Sequence, residues 1–131
     1  MKVTALLLFL TLFLPLPNQS AVITRSYCTE IGRFEMMFDD DEVSGSYSLI
    51  PKNSLGAVWG KLEGLTMTGR WVDGDGKGEI IITFNKDYSW FTTKYRNDAH
   101  PETWYDDSWH GSLKPGDQSS FTKDGKTYKC E

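Results

Sequence analysis

Residues 66–95 read TMTGRWVD, GDGKG, EIIITF, NKDY, SWFTTKY, and this stretch decides the fold. Three runs of alternating apolar and polar residues are separated by two clusters of Gly, Asn, Asp and Lys. Met67, Gly69 and Trp71 share one face of the first run, Ile80, Ile82 and Phe84 one face of the second, and Phe91, Thr93 and Tyr95 one face of the third. Successive side chains on a strand point to opposite faces, so a period of two bounded by turn formers marks antiparallel strands with one face in a core. The β-branched Ile81 and Ile82 and the interspersed glycines oppose a helix.

The same pattern continues to either side. A first strand is expected over residues 32–38, where Phe34, Met36 and Phe38 alternate with Arg33, Glu35 and Met37. A second is expected over 43–49, where Val43, Gly45, Tyr47 and Leu49 alternate with three serines, and a third over 57–62. Past the central stretch, a seventh lies within 103–113, bent or split at Asp106 and Asp107, and a last within 119–130, interrupted at Asp124 and Gly125. Turn signals at this spacing with no amphipathic helix indicate a sandwich or an up-and-down barrel.

The chain has 131 residues and begins MKVTALLLFLTLFLPLP. One lysine followed by an apolar run too short to span a bilayer, then two prolines and polar Asn18, Gln19 and Ser20, is a secretory signal. Residues 1–20 are assigned to it, with cleavage after Ser20 or Ala21, and residues 21–131 to a single domain. Removing the signal takes away Lys2 and leaves 13 basic against 18 acidic side chains. That balance opposes a nucleic-acid partner, which requires a basic face. The one glycosylation sequon, at Asn18, falls inside the signal.

Cys28 and Cys130 are the only cysteines. In a secreted chain they read as one disulfide, closing a loop of about 100 residues and worth about 4–5 kcal/mol in the chain-entropy treatment. The bond also favours the barrel. In an up-and-down barrel the first and last strands are neighbours, and the two cysteines are expected to meet on that seam. The repeated words Gly32-Arg33-Phe34, Gly45-Ser46-Tyr47 and Gly69-Arg70-Trp71 agree. Each puts a glycine and a ring on one face, so the strand bends and the ring fills the space.

At these residues the chain resembles the avidin and streptavidin family. Gly45-Ser46-Tyr47 after Val43-Ser44 is similar to the family's T-G-T-Y word, and Thr68-Gly69-Arg70-Trp71 to its T-G-R-Y word. Ser89-Trp90-Phe91-Thr92 resembles its W-S-G strand, and Trp109 to Leu113, Gly116-Asp117 and Phe121-Thr122-Lys123 its closing segments. The resemblance implies an all-β, antiparallel up-and-down barrel of about eight strands, avidin-like or lipocalin-like in build. The family binds biotin's ureido oxygen with an Asn and a Ser on strand one and a Tyr on strand two. Tyr47 matches the last, whereas residues 34–38 supply neither Asn nor Ser. An oxygen buried without its donors loses its polar recognition.

Candidate binding residues are Tyr47, Phe84, Phe91 and Trp104, expected to line the barrel mouth around a small apolar or aromatic ligand. The competing reading of these rings is core filling. Trp59 and Trp90 fall on outward faces and are candidates for contact between copies. Asp73-Gly74-Asp75 begins like a calcium loop, but Lys77 and Phe84 stand where ligands are required, so a hairpin turn is expected. His100 and His110 lack zinc-site spacing. No nucleophile elbow, phosphate loop or C-x-x-C is present. Sequence thus points to a secreted, extracellular, non-enzymatic binding barrel without metal or cofactor. The other reading is a structural component of an extracellular, mineralised matrix, acting through the acidic turns at residues 39–42 and 106–107.

Overall fold

The computed structural model describes residues 21–49, 54–106, 109–113 and 120–130. Its strands are β1 (Ile23–Thr29), β2 (Arg33–Asp39), β3 (Glu42–Leu49), β4 (Ser54–Glu63), β5 (Thr66–Asp73), β6 (Gly76–Phe84), β7 (Trp90–Asn97), β8 (Trp104–Tyr105), β9 (His110–Leu113), β10 (Ser120–Lys123) and β11 (Lys126–Lys129). β1 to β7 pair antiparallel in chain order, β9 pairs with β7, and β1 pairs with β9. The result is a closed, up-and-down, eight-stranded antiparallel barrel, the class that the alternation predicts. The central stretch forms three consecutive staves, with Gly69 opposite Ile80 and Ile80 opposite Tyr95.

Tight turns set this register. Asp39 faces Glu42, Glu63 faces Thr66 and Asp73 faces Gly76, each pair flanking two residues. Asp40 and Gly64 take positive φ there, the conformation such turns require. The expected calcium-like segment is one of these hairpins. Asp73 Oδ1 accepts a hydrogen bond from the backbone of Asp75 at 2.7 Å, which spends one carboxylate oxygen on the turn itself.

Two expectations need correction. The first stave is β1, one strand earlier than the predicted start at residue 32. Its inward residue Tyr27 is fully buried, while Arg25 occupies the next inward position, and a cation there disguises the period of two. The last stave is β9, not the segment 119–130. Of that segment, residues 120–130 form two strands, β10 and β11, which among the described residues pair with each other in a separate sheet. Asp124 and Gly125 interrupt the segment as expected, and the break is a hairpin turn, both residues at positive φ. The final stave is described in two pieces, β8 and β9; Asp106 lies in a turn after β8, and Asp107 lies outside the described residues. Thr93 bridges the break, its Oγ1 donating to the Trp109 carbonyl at 2.8 Å and accepting the Trp109 N–H at 3.2 Å.

The bore is filled. Phe34, Met36, Met67, Ile82 and Phe91 are fully buried, and the rings of Tyr27, Phe38, Tyr47, Trp71, Phe84 and Trp109 complete one continuous core. Glycines make the room, though not as the repeated words imply. Tyr47 lies over Gly56, Trp71 against Gly78, and Phe91 over Gly111, each glycine directly opposite its ring on the neighbouring strand. A Cβ at Gly56 or Gly111 would collide with the covering ring. The ring therefore occupies the volume left by its cross-strand partner, not by the glycine two residues before it.

Candidate functional site

Three places concentrate unusual chemistry: the bore, the seam under the C-terminal hairpin, and the outer wall of β2 to β4. In the bore, Tyr47 is stacked on Phe34 with centroids 5.4 Å apart and an interplanar angle of 5°. Its hydroxyl donates to Asp73 Oδ2 at 2.7 Å. Burial first, and then this hydrogen bond to a carboxylate, push the phenol well above its ordinary pKa. Phe84 and Phe91 face each other across β6 and β7 with centroids 5.7 Å apart. Phe34 links the two groups, 5.8 Å from Phe91. These three predicted ligand residues are thus members of one packed ring cluster.

Trp104 is a correction. It is half-buried on the outer side, with Lys94 Nζ 4.9 Å and the Arg96 guanidinium 4.5 Å from its ring centroid. Lys94 and Arg96 alternate with the inward Phe91, Thr93 and Tyr95, so the indole covers the outside of β7 rather than lining the mouth. The structure brings Tyr47, Phe84 and Phe91 into one core and leaves Trp104 outside it.

At the seam, the disulfide joins Cys28 on β1 to Cys130 after β11, with the Cα atoms 5.1 Å apart. It ties the hairpin to the outside of the barrel beside the seam, and no barrel strand ends at Cys130. Trp90, expected outward for contact between copies, packs against the disulfide and stacks on His110 at 5.5 Å. His110 is buried. Its backbone N–H donates to Glu30 Oε2 at 2.5 Å, and its Nδ1 lies 2.8 Å from Glu30 Oε1. Lys123 Nζ reaches over from the hairpin to within 2.8 Å of the same Nδ1. Sequence separations of 80 and 13 residues conceal this Glu30–His110–Lys123 group from any local reading.

At one end of the barrel, Arg25 caps the core. Its guanidinium lies 4.6 Å from the centroid of Phe38 and 4.3 Å from that of Tyr88. Tyr27 donates from inside to the Tyr88 carbonyl at 2.8 Å, holding the turn between β6 and β7 across the opening.

On the outer wall, a groove of about 450 Å³ runs over β2 to β4. Its rows follow from register. Met37, Ser44 and Trp59 lie side by side, and Asp39, Glu42 and Lys61 form the next row. Small Ser44 on the middle strand makes the floor, and Met37 and Trp59, both about half exposed, make the walls. Of the seven large hydrophobic residues that the described chain exposes, only Tyr105 lies outside β1 to β5 and the residue preceding them.

No family model, no curated protein and no solved structure matches this chain.

Proposed function

We propose that this protein is a secreted, non-enzymatic extracellular barrel that binds its ligand on the outer wall of β2 to β4. The observation that carries the reading is the groove itself, an open volume of about 450 Å³ with an exposed tryptophan on its wall. Volumes of this order suit a small molecule, and exposed aromatic surface beside polar groups is the usual composition of a binding site. The bore offers less. Its rings are already in contact, so a ligand among Tyr47, Phe84 and Phe91 requires a core packed at native density to open. The disulfide and the signal-like N-terminus support an oxidising, extracellular setting.

The test is tryptophan fluorescence with a panel of small aromatic compounds, on the wild type, Trp59→Leu and Phe91→Leu. Groove binding gives saturable quenching that Trp59→Leu removes and Phe91→Leu keeps. The reverse pattern returns the site to the bore. Absence of saturable quenching by every compound removes the small-molecule reading. Calcium binding that salt weakens then favours a matrix role for the acidic turns.

A further inference from the structure

We infer that the wall groove is a site for a small organic cation, an alkyl- or arylammonium ion held between Trp59 and Met37 with its charge toward Glu42. This rests on the wall-binding reading above and names the ligand class. The shape comes from strand order. Met37 and Trp59 flank Ser44 across two strand spacings, about 10 Å, which admits one substituted ammonium group and little more. An indole face attracts a cation through its quadrupole, and a thioether wall supplies polarizable, adaptable contact to the substituents.

The charges select the sign. Asp39 and Glu42 line the groove, and Asp40 and Asp41 stand exposed on the turn between them. Lys61 faces Glu42 across β3 and β4, yet neither residue makes an ion pair among the described residues. Glu42 is thus a carboxylate without a cationic partner among the described residues, beside an open aromatic wall. Among the described residues that line the groove, Lys61 is the one cationic side chain, and Asp40 and Asp41 on the exposed turn add to the negative side. A low-dielectric cleft lined by one sign of charge raises the local concentration of the opposite ion and repels anions. A neutral ligand gains nothing from that field, and a polycation is larger than the groove.

Trp59 reports directly, because its indole N–H is a resolved signal in a ¹⁵N correlation spectrum, assigned by its disappearance in Trp59→Phe. Benzyltrimethylammonium, benzyl alcohol and phenylacetate share one ring and differ in charge. The expected result is saturable movement of the Trp59 signal by benzyltrimethylammonium, at least tenfold tighter than by the other two. Binding should weaken several-fold in Glu42→Gln and in high salt, and disappear in Trp59→Leu. These side chains lie outside the core, so the variants fold. Equal or tighter binding of benzyl alcohol or phenylacetate at Trp59 overturns the cation and leaves the groove standing. Ammonium binding that survives Trp59→Leu places the cation elsewhere and overturns the assignment. A silent Trp59 with all three compounds overturns both the cation and the groove. A pentalysine peptide that binds at Trp59 more tightly than benzyltrimethylammonium makes the occupant a protein partner and overturns the small-molecule assignment.

Discussion

Gly111 and Phe91 show how single residues set this core. Phe91 is fully buried and its ring covers Gly111 on the adjacent strand, so the space for one is defined by the absence of a side chain on the other. Gly111→Ala is expected to cost about 1–3 kcal/mol by overpacking. Phe91→Ala is expected to cost about 3–5 kcal/mol through lost burial and the cavity left behind. Combining Gly111→Ala with Phe91→Leu should cost less than the sum of the two single changes, a coupling readable in a double-mutant cycle by urea unfolding. The two buried phenols make a pH prediction. Desolvation is the main reason that Tyr27 and Tyr47 both hold their protons well above the ordinary tyrosine value. The folded state therefore binds more protons than the unfolded state once the pH exceeds about 10, the unfolded value, and stability falls as pH rises beyond that point. Below it, the contribution is fully present. Tyr47→Phe should flatten this alkaline decline, while costing about 1 kcal/mol near neutrality for its hydrogen bond to Asp73. Denaturant titrations at pH 8 and pH 11 compare the two proteins directly.

Among the elements, the C-terminal hairpin departs most from expectation. Alternation alone cannot distinguish a stave from an appended hairpin, because both obey a period of two. The distinction lies in pairing: among the described residues β1 closes on β9 through three residue pairs, Tyr27 with Leu113, Cys28 with Ser112 and Thr29 with Gly111. β10 and β11 then fasten to the outside of this short seam by the disulfide at one point and by Lys123 at another. Replacing both cysteines by serine should lower stability by as much as about 4–5 kcal/mol, since the bond closes a loop spanning 102 residues. The emission of Trp90 should shift to the red as its disulfide cover is released. Retention of wild-type Tm by that variant would remove the stapling role. Glu30→Gln leaves His110 facing a neutral amide, and the expected effect is faster amide exchange in β9 and β10 with β3 to β6 unchanged. β1 was hidden for a different reason. Its alternation of Ile23, Arg25 and Tyr27 includes a cation that is accommodated only because Phe38 and Tyr88 stack on it.

For the whole molecule, composition and architecture point the same way. An acidic chain with a signal-like start and one disulfide suits an oxidising compartment, and production in a reducing cytosol should yield a barrel with the lowered stability of the serine variant. On the outside, several charges are paired. Across β5 to β7, Arg96 meets Glu79 at 2.6 Å, and Arg70 is bonded through both terminal nitrogens to Asp98, whose carboxyl is held below the usual carboxylate range by that contact. The Arg70–Asp98 pair is exposed, so its contribution is small and fades as pH falls through the lowered Asp98 value. Over β2 to β4, Arg33 meets Glu35 at 2.6 Å, whereas Glu42 and Lys61 make no ion pair among the described residues and Trp59 is about half exposed. The outer wall thus carries closed ion pairs and, beside Trp59, charges left open among the described residues.

From the sequence alone came the strand class, the inward set of the central staves and the partnership of Cys28 with Cys130. Which side of a pleat a residue occupies is a local property, written in the alternation of its neighbours. Only the tertiary structure decided which strands adjoin at the seam, that residues 120–130 form a strap outside the barrel, and that Trp104 faces out. It also decided that Glu30, His110 and Lys123 meet, and that Met37 and Trp59 frame a groove. Those outcomes depend on register between strands and on where the barrel closes, which long-range pairing sets and no single stretch of the chain contains.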